Sequence, residues 1–146
     1  MKKLYLAYGS NMNLEQMAYR CPTARLQGSA TLEGFKLTFR GPHGGAVANI
    51  EADPAGNVPV LLWEIQAADE AALDRYEGFP ILYRKQTVSV EFNGQCRKVM
   101  AYVMTPGRRI GVPSTYYFNI IRDGYRSAGF KSDTLTFAAY GSTVVE

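Results

Sequence analysis

The sequence predicts an α+β domain: a small mixed or antiparallel sheet curled toward a barrel, with a few short helices. Three observations point there. Short apolar or alternating runs recur along the chain, each bounded by turn residues, which is the pattern of strands joined in hairpins. Asn93-Gly94 sits between two such runs and is the dipeptide of a tight two-residue hairpin. Glycines interrupt the longest alternating run twice, as they do where a sheet bends. With 146 residues, 47% of them hydrophobic, the chain can bury a core as one domain. That domain is expected over residues 1–130, followed by a tail, 131–146.

Leu4-Tyr5-Leu6-Ala7 reads as the first strand. It closes on Tyr8-Gly9-Ser10-Asn11, where Gly9 suits a positive φ or the close approach of a ligand, and a helix follows. Asn13 is placed to cap that helix, Gln16 completes a capping-box pattern, Leu14 and Met17 form its buried side, and Cys21-Pro22 ends it. Ala24 to Arg40 reads as two strands or one bent strand, with bends at Gly28 and Gly34. Gly41 to Gly45 is a loop holding His43. Ala46–Glu51 and Val58–Ile65 read as two strands of a hairpin turning at Asp53-Pro54-Ala55-Gly56-Asn57, with Trp63 a core anchor.

Asp69 to Glu77 is a short helix with acidic residues at its start and Gly78 set for a left-handed C-terminal cap. Tyr83–Phe92 and Gln95–Met104 form the Asn93-Gly94 hairpin. Pro113-Ser114 opens a last helix in which Tyr117, Ile120, Ile121, Gly124 and Ala128 share a face, with Gly124 marking close packing. The tail carries one apolar patch, Leu135 to Tyr140, and ends in Val144-Val145-Glu146. It covers a pocket, packs on the sheet or mediates self-association; the pattern does not choose.

A net charge of +3 with scattered basic residues is no nucleic-acid footprint. The apolar run after Met1-Lys2-Lys3 is too short for a signal segment, and nothing approaches a membrane span. A soluble, cytoplasmic protein is expected, with neither membrane nor nucleic acid as partner. Cys21 and Cys96, far apart and without metal spacing, are expected as free thiols, and no metal is expected.

Serine, cysteine and metal mechanisms are disfavoured: Ser10 lacks the surroundings of a nucleophile elbow, and the one histidine, His43, lies in an exposed loop without a nearby acid. A carboxylate remains. Asp74 and Glu77, three residues apart, share a helix face. Asp74 suits a salt bridge beside Arg75. Glu77 ends an acidic helix, where the macrodipole disfavours its charge, and burial there would raise its pKa toward that of a proton-shuttling base. From spacing alone a surface glutamate in a last helical turn is the favoured reading, and Tyr8 to Asn11 reads first as an ordinary turn, with a carboxylate, phosphate or oxyanion held on its amides as the alternative.

Several motifs in order carry a resemblance. Tyr8-Gly9-Ser10-Asn11 after a strand, Gly45 to Ile50, Leu73-Asp74-Arg75-Tyr76-Glu77-Gly78 with Tyr83 following, Ala101 to Met104, and Pro113-Ser114 before Tyr117 together resemble the gamma-glutamylcyclotransferase family, from Leu4 to about Gly129. The resemblance implies a barrel-centred fold and a cofactor-free reaction that releases 5-oxoproline from a small gamma-glutamyl substrate. It makes Glu77 the catalytic acid/base and Tyr8, Gly9, Ser10 and Asn11 the substrate-binding loop. Tyr83, Tyr102 and Tyr117 become pocket tyrosines. Phe79 to Leu82 and the loop Pro106 to Gly111 look closer to the bacterial and gamma-glutamylamine-type branch. Two alternatives stay open: removal of a gamma-glutamyl protecting group in a biosynthetic pathway, and a non-catalytic metabolite-binding domain. The oligomeric state is left undetermined.

Overall fold

A computed structural model describes residues 2–141. The C-terminal Val144-Val145-Glu146 falls outside the described residues. Five strands form one mixed sheet: β1 (Lys3–Ala7), β2 (Arg25–Arg40), β3 (Val47–Ile65), β4 (Tyr83–Phe92) and β5 (Gln95–Met104), in the order β2-β3-β1-β5-β4. The short β1 is central, antiparallel to β3 and parallel to β5. Its Tyr5, Leu6 and Ala7 are all buried, which is why the strand reads as a continuous rather than alternating apolar run. The chain therefore leaves the middle of the sheet just where Tyr8 to Asn11 begins.

β2 is one bent strand, with register shifts between Leu26 and Gly28 and between Glu33 and Phe35. The expected hairpin around Asp53 to Asn57 does not form. β3 runs through these residues, and its partner is β2, joined to it by the loop that holds His43. The turn residues make a bulge instead: pairing passes from Phe35↔Ala52 to Glu33↔Asn57, so 53–56 are extruded opposite the single residue Gly34. Gly56 is there because a Cβ would run into the Phe35 carbonyl. Local turn chemistry is the same for a bulge and a hairpin; only the partner strand distinguishes them.

The β4–β5 hairpin forms as expected, with Asn93 at φ 52 and Gly94 at φ 77, the two positive values of a type I′ turn. The sheet curls without a ladder joining its edges β2 and β4, but those edges meet: a Cβ on Gly28 in β2 would lie 3.0 Å from the Phe92 ring in β4. Across the opening left by the short β1, Asn49 of β3 accepts a hydrogen bond from the Met104 amide of β5 at 2.9 Å.

Among the described residues four α-helices join the sheet: α1 (Leu14–Arg20), α2 (Ala67–Glu77), α3 (Thr115–Ser127) and α4 (Asp133–Tyr140). Asn13 caps α1 by accepting from Gln16 N at 3.0 Å, but no capping box closes, because the Gln16 side chain accepts from Arg20 instead. Met17 is buried while Leu14 stays largely exposed. Gly78 caps α2 at φ 68, ψ 38. Ser114 caps α3 through Tyr117 N at 3.1 Å. Phe118 and Tyr125 are buried on α3 beside Ile121, while Tyr117, Ile120 and Ala128 are half-buried. A Cβ on Gly124 would lie 2.5 Å from the Met12 carbonyl, so α3 packs directly on the backbone that follows the Tyr8–Asn11 turn. The apolar patch of the tail forms α4, which buries Leu135 and Ala139 and sets Tyr140 against Phe118 of α3, ring centroids 5.4 Å apart.

Candidate active site

Ser10 to Met12 form one 3-10 turn after β1, closed by Met12 N to Gly9 O at 2.9 Å and Asn13 N to Ser10 O at 3.0 Å. The first amides of such a turn have no internal acceptor. Those of Gly9, Ser10 and Asn11 find none elsewhere among the described residues. Gly9 has φ −117, so the expected positive φ is absent. Space is what calls for glycine: a Cβ would come within 3.3 Å of Ala48 Cβ and 3.5 Å of the Tyr117 hydroxyl.

The turn forms one wall of a cavity of about 240 Å³. All eight residues singled out from the sequence line it: Tyr8, Gly9, Ser10, Asn11, Glu77, Tyr83, Tyr102 and Tyr117. They come from four separate stretches of chain. β1 delivers the turn, the C-terminal end of α2 delivers Glu77, the β4–β5 hairpin delivers Tyr83 and Tyr102, and α3 delivers Tyr117. His43 is exposed in its loop and does not line the cavity.

Glu77 is half-buried and lines the cavity. Burial raises its pKa to about 7, and the nearby Arg20 guanidinium offsets part of that rise. Desolvation is thus the main cause, and the carboxyl group is poised to exchange a proton near neutral pH.

The tyrosines divide by where their protons go. Tyr8 donates to the Tyr102 carbonyl at 2.6 Å, Tyr83 donates to the Ala48 carbonyl, and Tyr102 donates to Asp74 Oδ1 at 2.5 Å. These three are committed to the protein. Tyr117 accepts from the Ala48 amide at 3.1 Å, so its own proton stays available. Burial lifts all four hydroxyls above their ordinary range, which keeps them protonated.

Several participants escaped the sequence reading. Tyr5 is buried on β1, lines the cavity and accepts from Asn11 Nδ2 at 3.0 Å. Tyr76 places its hydroxyl 2.7 Å from Ser10 Oγ, and Arg20 donates to Asn11 Oδ1 while its guanidinium lies 3.4 Å above the Tyr76 ring. Trp63 is more than a core anchor, since its Nε1 donates to the Asn11 carbonyl at 3.2 Å. Asp74 pairs with Lys85 at 3.1 Å, as a salt-bridge residue should, but its bond from Tyr102 also ties it to the cavity wall. Ser10 and Asn11 bracket the turn in the sequence, but nothing local signals that their partners lie on α1 and α2.

Among the described residues no group of three or more His, Cys, Asp or Glu is placed to hold a metal ion. No helix among them is long and apolar enough to cross a membrane.

The model of the gamma-glutamyl cyclotransferase, AIG2-like family matches residues 5–119. The chain belongs to that family. The matched span contains every candidate site residue. The gamma-glutamylcyclotransferase of Bos taurus is 32% identical over 86% of this chain and 71% of its own length; that of Homo sapiens is 30% identical over the same shares. A solved structure of a gamma-glutamyl cyclotransferase superposes with a TM-score of 0.84, at 28% identity, covering 94% of this chain and 86% of that one. The mixed sheet and its four helices are thus the gamma-glutamyl cyclotransferase fold.

Proposed function

We propose that the protein is a cyclotransferase that releases 5-oxoproline and a free amine from a small gamma-glutamyl amine or amide, with Glu77 as general acid/base. The observation that carries this reading is a carboxyl group raised to about pKa 7 in one cavity with unpartnered backbone amides. Membership of the family and the activity named for its relatives support it.

In such a substrate the alpha-amine reaches its own gamma-carbonyl, so the enzyme supplies no nucleophile. Glu77 takes a proton from the alpha-ammonium. The freed nitrogen attacks the gamma-carbonyl carbon, closing a five-membered ring and leaving an oxyanion. As the oxyanion collapses, Glu77 gives its proton to the departing nitrogen and the carbon–nitrogen bond breaks; the ionised Glu77 then takes the second proton from the ring nitrogen, leaving the neutral lactam, and passes it to the freed amine or to solvent. Amides of Gly9, Ser10 and Asn11 hold the alpha-carboxylate or the oxyanion, and the Tyr117 proton is a further donor. A cavity of about 240 Å³ is smaller than those of drug-sized ligands, roughly 300–1,000 Å³, which suits a glutamyl group held inside with the leaving amine toward the mouth. No bound cofactor has a part in this scheme. The free thiols Cys21 and Cys96 suit the reducing cytoplasm.

A carboxylate beside the amides speaks against a purely anion-binding domain, because an ionised Glu77 would repel the ligand. The test is incubation with gamma-glutamyl alkylamines, gamma-glutamyl amino acids and glutathione, assayed for 5-oxoproline. Release from at least one class is expected, and its identity names the leaving group. Absence of 5-oxoproline from all of them overturns the reading.

A further inference from the structure

We propose that Arg20 is a positioning residue of this site, acting through Asn11 to aim the Tyr5 hydroxyl proton into the cavity. The kinetic consequence rests on the cyclotransferase reading; the geometry does not.

The chain of contacts has one consistent polarity. Arg20, the last residue of α1, donates through Nη1 to Asn11 Oδ1 and through Nη2 to Gln16 Oε1 at 3.0 Å. A guanidinium only donates, so Asn11 must turn its carbonyl oxygen toward Arg20. Its amide nitrogen then faces the other way, 3.0 Å from the Tyr5 hydroxyl. That nitrogen also only donates, so the Tyr5 oxygen accepts and keeps its own proton free. Asn11 is 2% exposed and Tyr5 3%, so water does not reset either group. Tyr5 lines the cavity, and its proton has no acceptor among the described residues. Were Asn11 to flip, its oxygen would take the Tyr5 proton and the donor into the cavity would be lost.

Arg20 also holds Tyr76, the residue before Glu77, by lying 3.4 Å over its ring. The hydroxyl of Tyr76 meets Ser10, so one guanidinium braces both the binding turn and the end of α2. The flat stacking on Tyr76 needs a guanidinium, whereas the charge near Glu77 and a donor to Asn11 are features that a lysine also supplies. The titratable groups facing Glu77 are Arg20 from α1, Tyr5 and Tyr8 from β1 and its turn, Tyr83 from β4 and Tyr117 from α3. On its own helix, Asp74 is paired with Lys85. Among these facing groups Arg20 alone brings a charge at neutral pH, and it lowers the Glu77 pKa.

Arg20→Met, Arg20→Lys, Tyr5→Phe and the Arg20→Met/Tyr5→Phe double variant test this. Arg20→Met and Tyr5→Phe should each lower kcat/KM for 5-oxoproline release about 10- to 10²-fold, the loss expected for one hydrogen bond to a charged group. Because both act through the same proton, the double variant should be little worse than Arg20→Met alone. Arg20→Met should also move the acid limb of the pH profile upward, whereas Arg20→Lys, which keeps the charge and a donor, should restore that limb. Without substrate, the side-chain amide resonances of Asn11 should shift in Arg20→Met and stay near wild type in Arg20→Lys. Multiplying losses in the double variant, or an Asn11 amide unchanged in Arg20→Met, overturns the proposal. If wild type releases no 5-oxoproline, the cyclotransferase reading fails, and the Asn11 amide alone decides the role of Arg20.

Discussion

Glu77 combines a pKa of about 7 with a place in the cavity, and each property leads to a measurable pH dependence. As a base it must be ionised when substrate binds, so kcat/KM should rise about tenfold per pH unit below pH 7 and level off above it. A pH-rate profile reads this directly, provided the substrate itself does not titrate in that range. Stability should run the other way. The folded pKa lies above the ordinary carboxyl value of 4.5, so between those values the folded state holds more protons than the unfolded one and stability falls as pH rises. Glu77→Gln cannot titrate. It should therefore melt above wild type at pH 8, with the gap narrowing below pH 5, as thermal denaturation at the two pH values would show. Asp74→Asn, which disturbs the Tyr102 contact and the Lys85 pair but not Glu77, should fold and keep measurable turnover. An inactive Asp74→Asn beside an active Glu77→Gln would move the acid/base role to Asp74.

Elements place these residues through close backbone contacts at glycines. The Gly124 contact with the Met12 carbonyl seats α3 on the turn, and α3 also carries Tyr117. Gly124→Ala should cost about 1–3 kcal/mol, the usual range for overpacking, and should weaken 5-oxoproline binding, which denaturant unfolding and calorimetry check separately. Gly9→Val intrudes on Ala48 and Tyr117 and should abolish that binding, while Ser10→Ala, which leaves the turn amides in place, should retain much of it. Elements whose signals are local were legible in the sequence: the positive φ pair at Asn93-Gly94, the left-handed cap at Gly78 and the cap at Ser114. The segment 53–57 was not, because the same Asp-Pro and Gly residues serve a hairpin or a bulge, and β2 decides between them from a distance. Leu14 misled for a similar reason: its spacing suits a buried face, but nothing packs over it closely enough to bury it.

At the scale of the whole molecule, strand order makes the site. Placing the five-residue β1 between β3 and β5 brings the Tyr8–Asn11 turn to the middle of the sheet, where α2, α3 and the β4–β5 hairpin all reach it. That order rests on pairings between distant segments, which no local pattern shows; Tyr83, Tyr102 and Tyr117 were named through the resemblance instead, while Tyr5, Arg20 and Tyr76, within its span but given no role by it, were missed. A hairpin tip far from the cavity gives a control. Gly94→Ala, forced to keep φ 77, should lose about 1–2 kcal/mol of stability with no change in the turnover of folded protein.

The central claim, that Glu77 moves the proton, is tested most directly by single-turnover 5-oxoproline release in wild type and Glu77→Gln, using whichever gamma-glutamyl substrate the panel identifies and checking binding by calorimetry. The variant should bind that substrate while releasing 5-oxoproline slower by a factor on the order of 10² to 10⁴. Release at the wild-type rate with binding intact would contradict it.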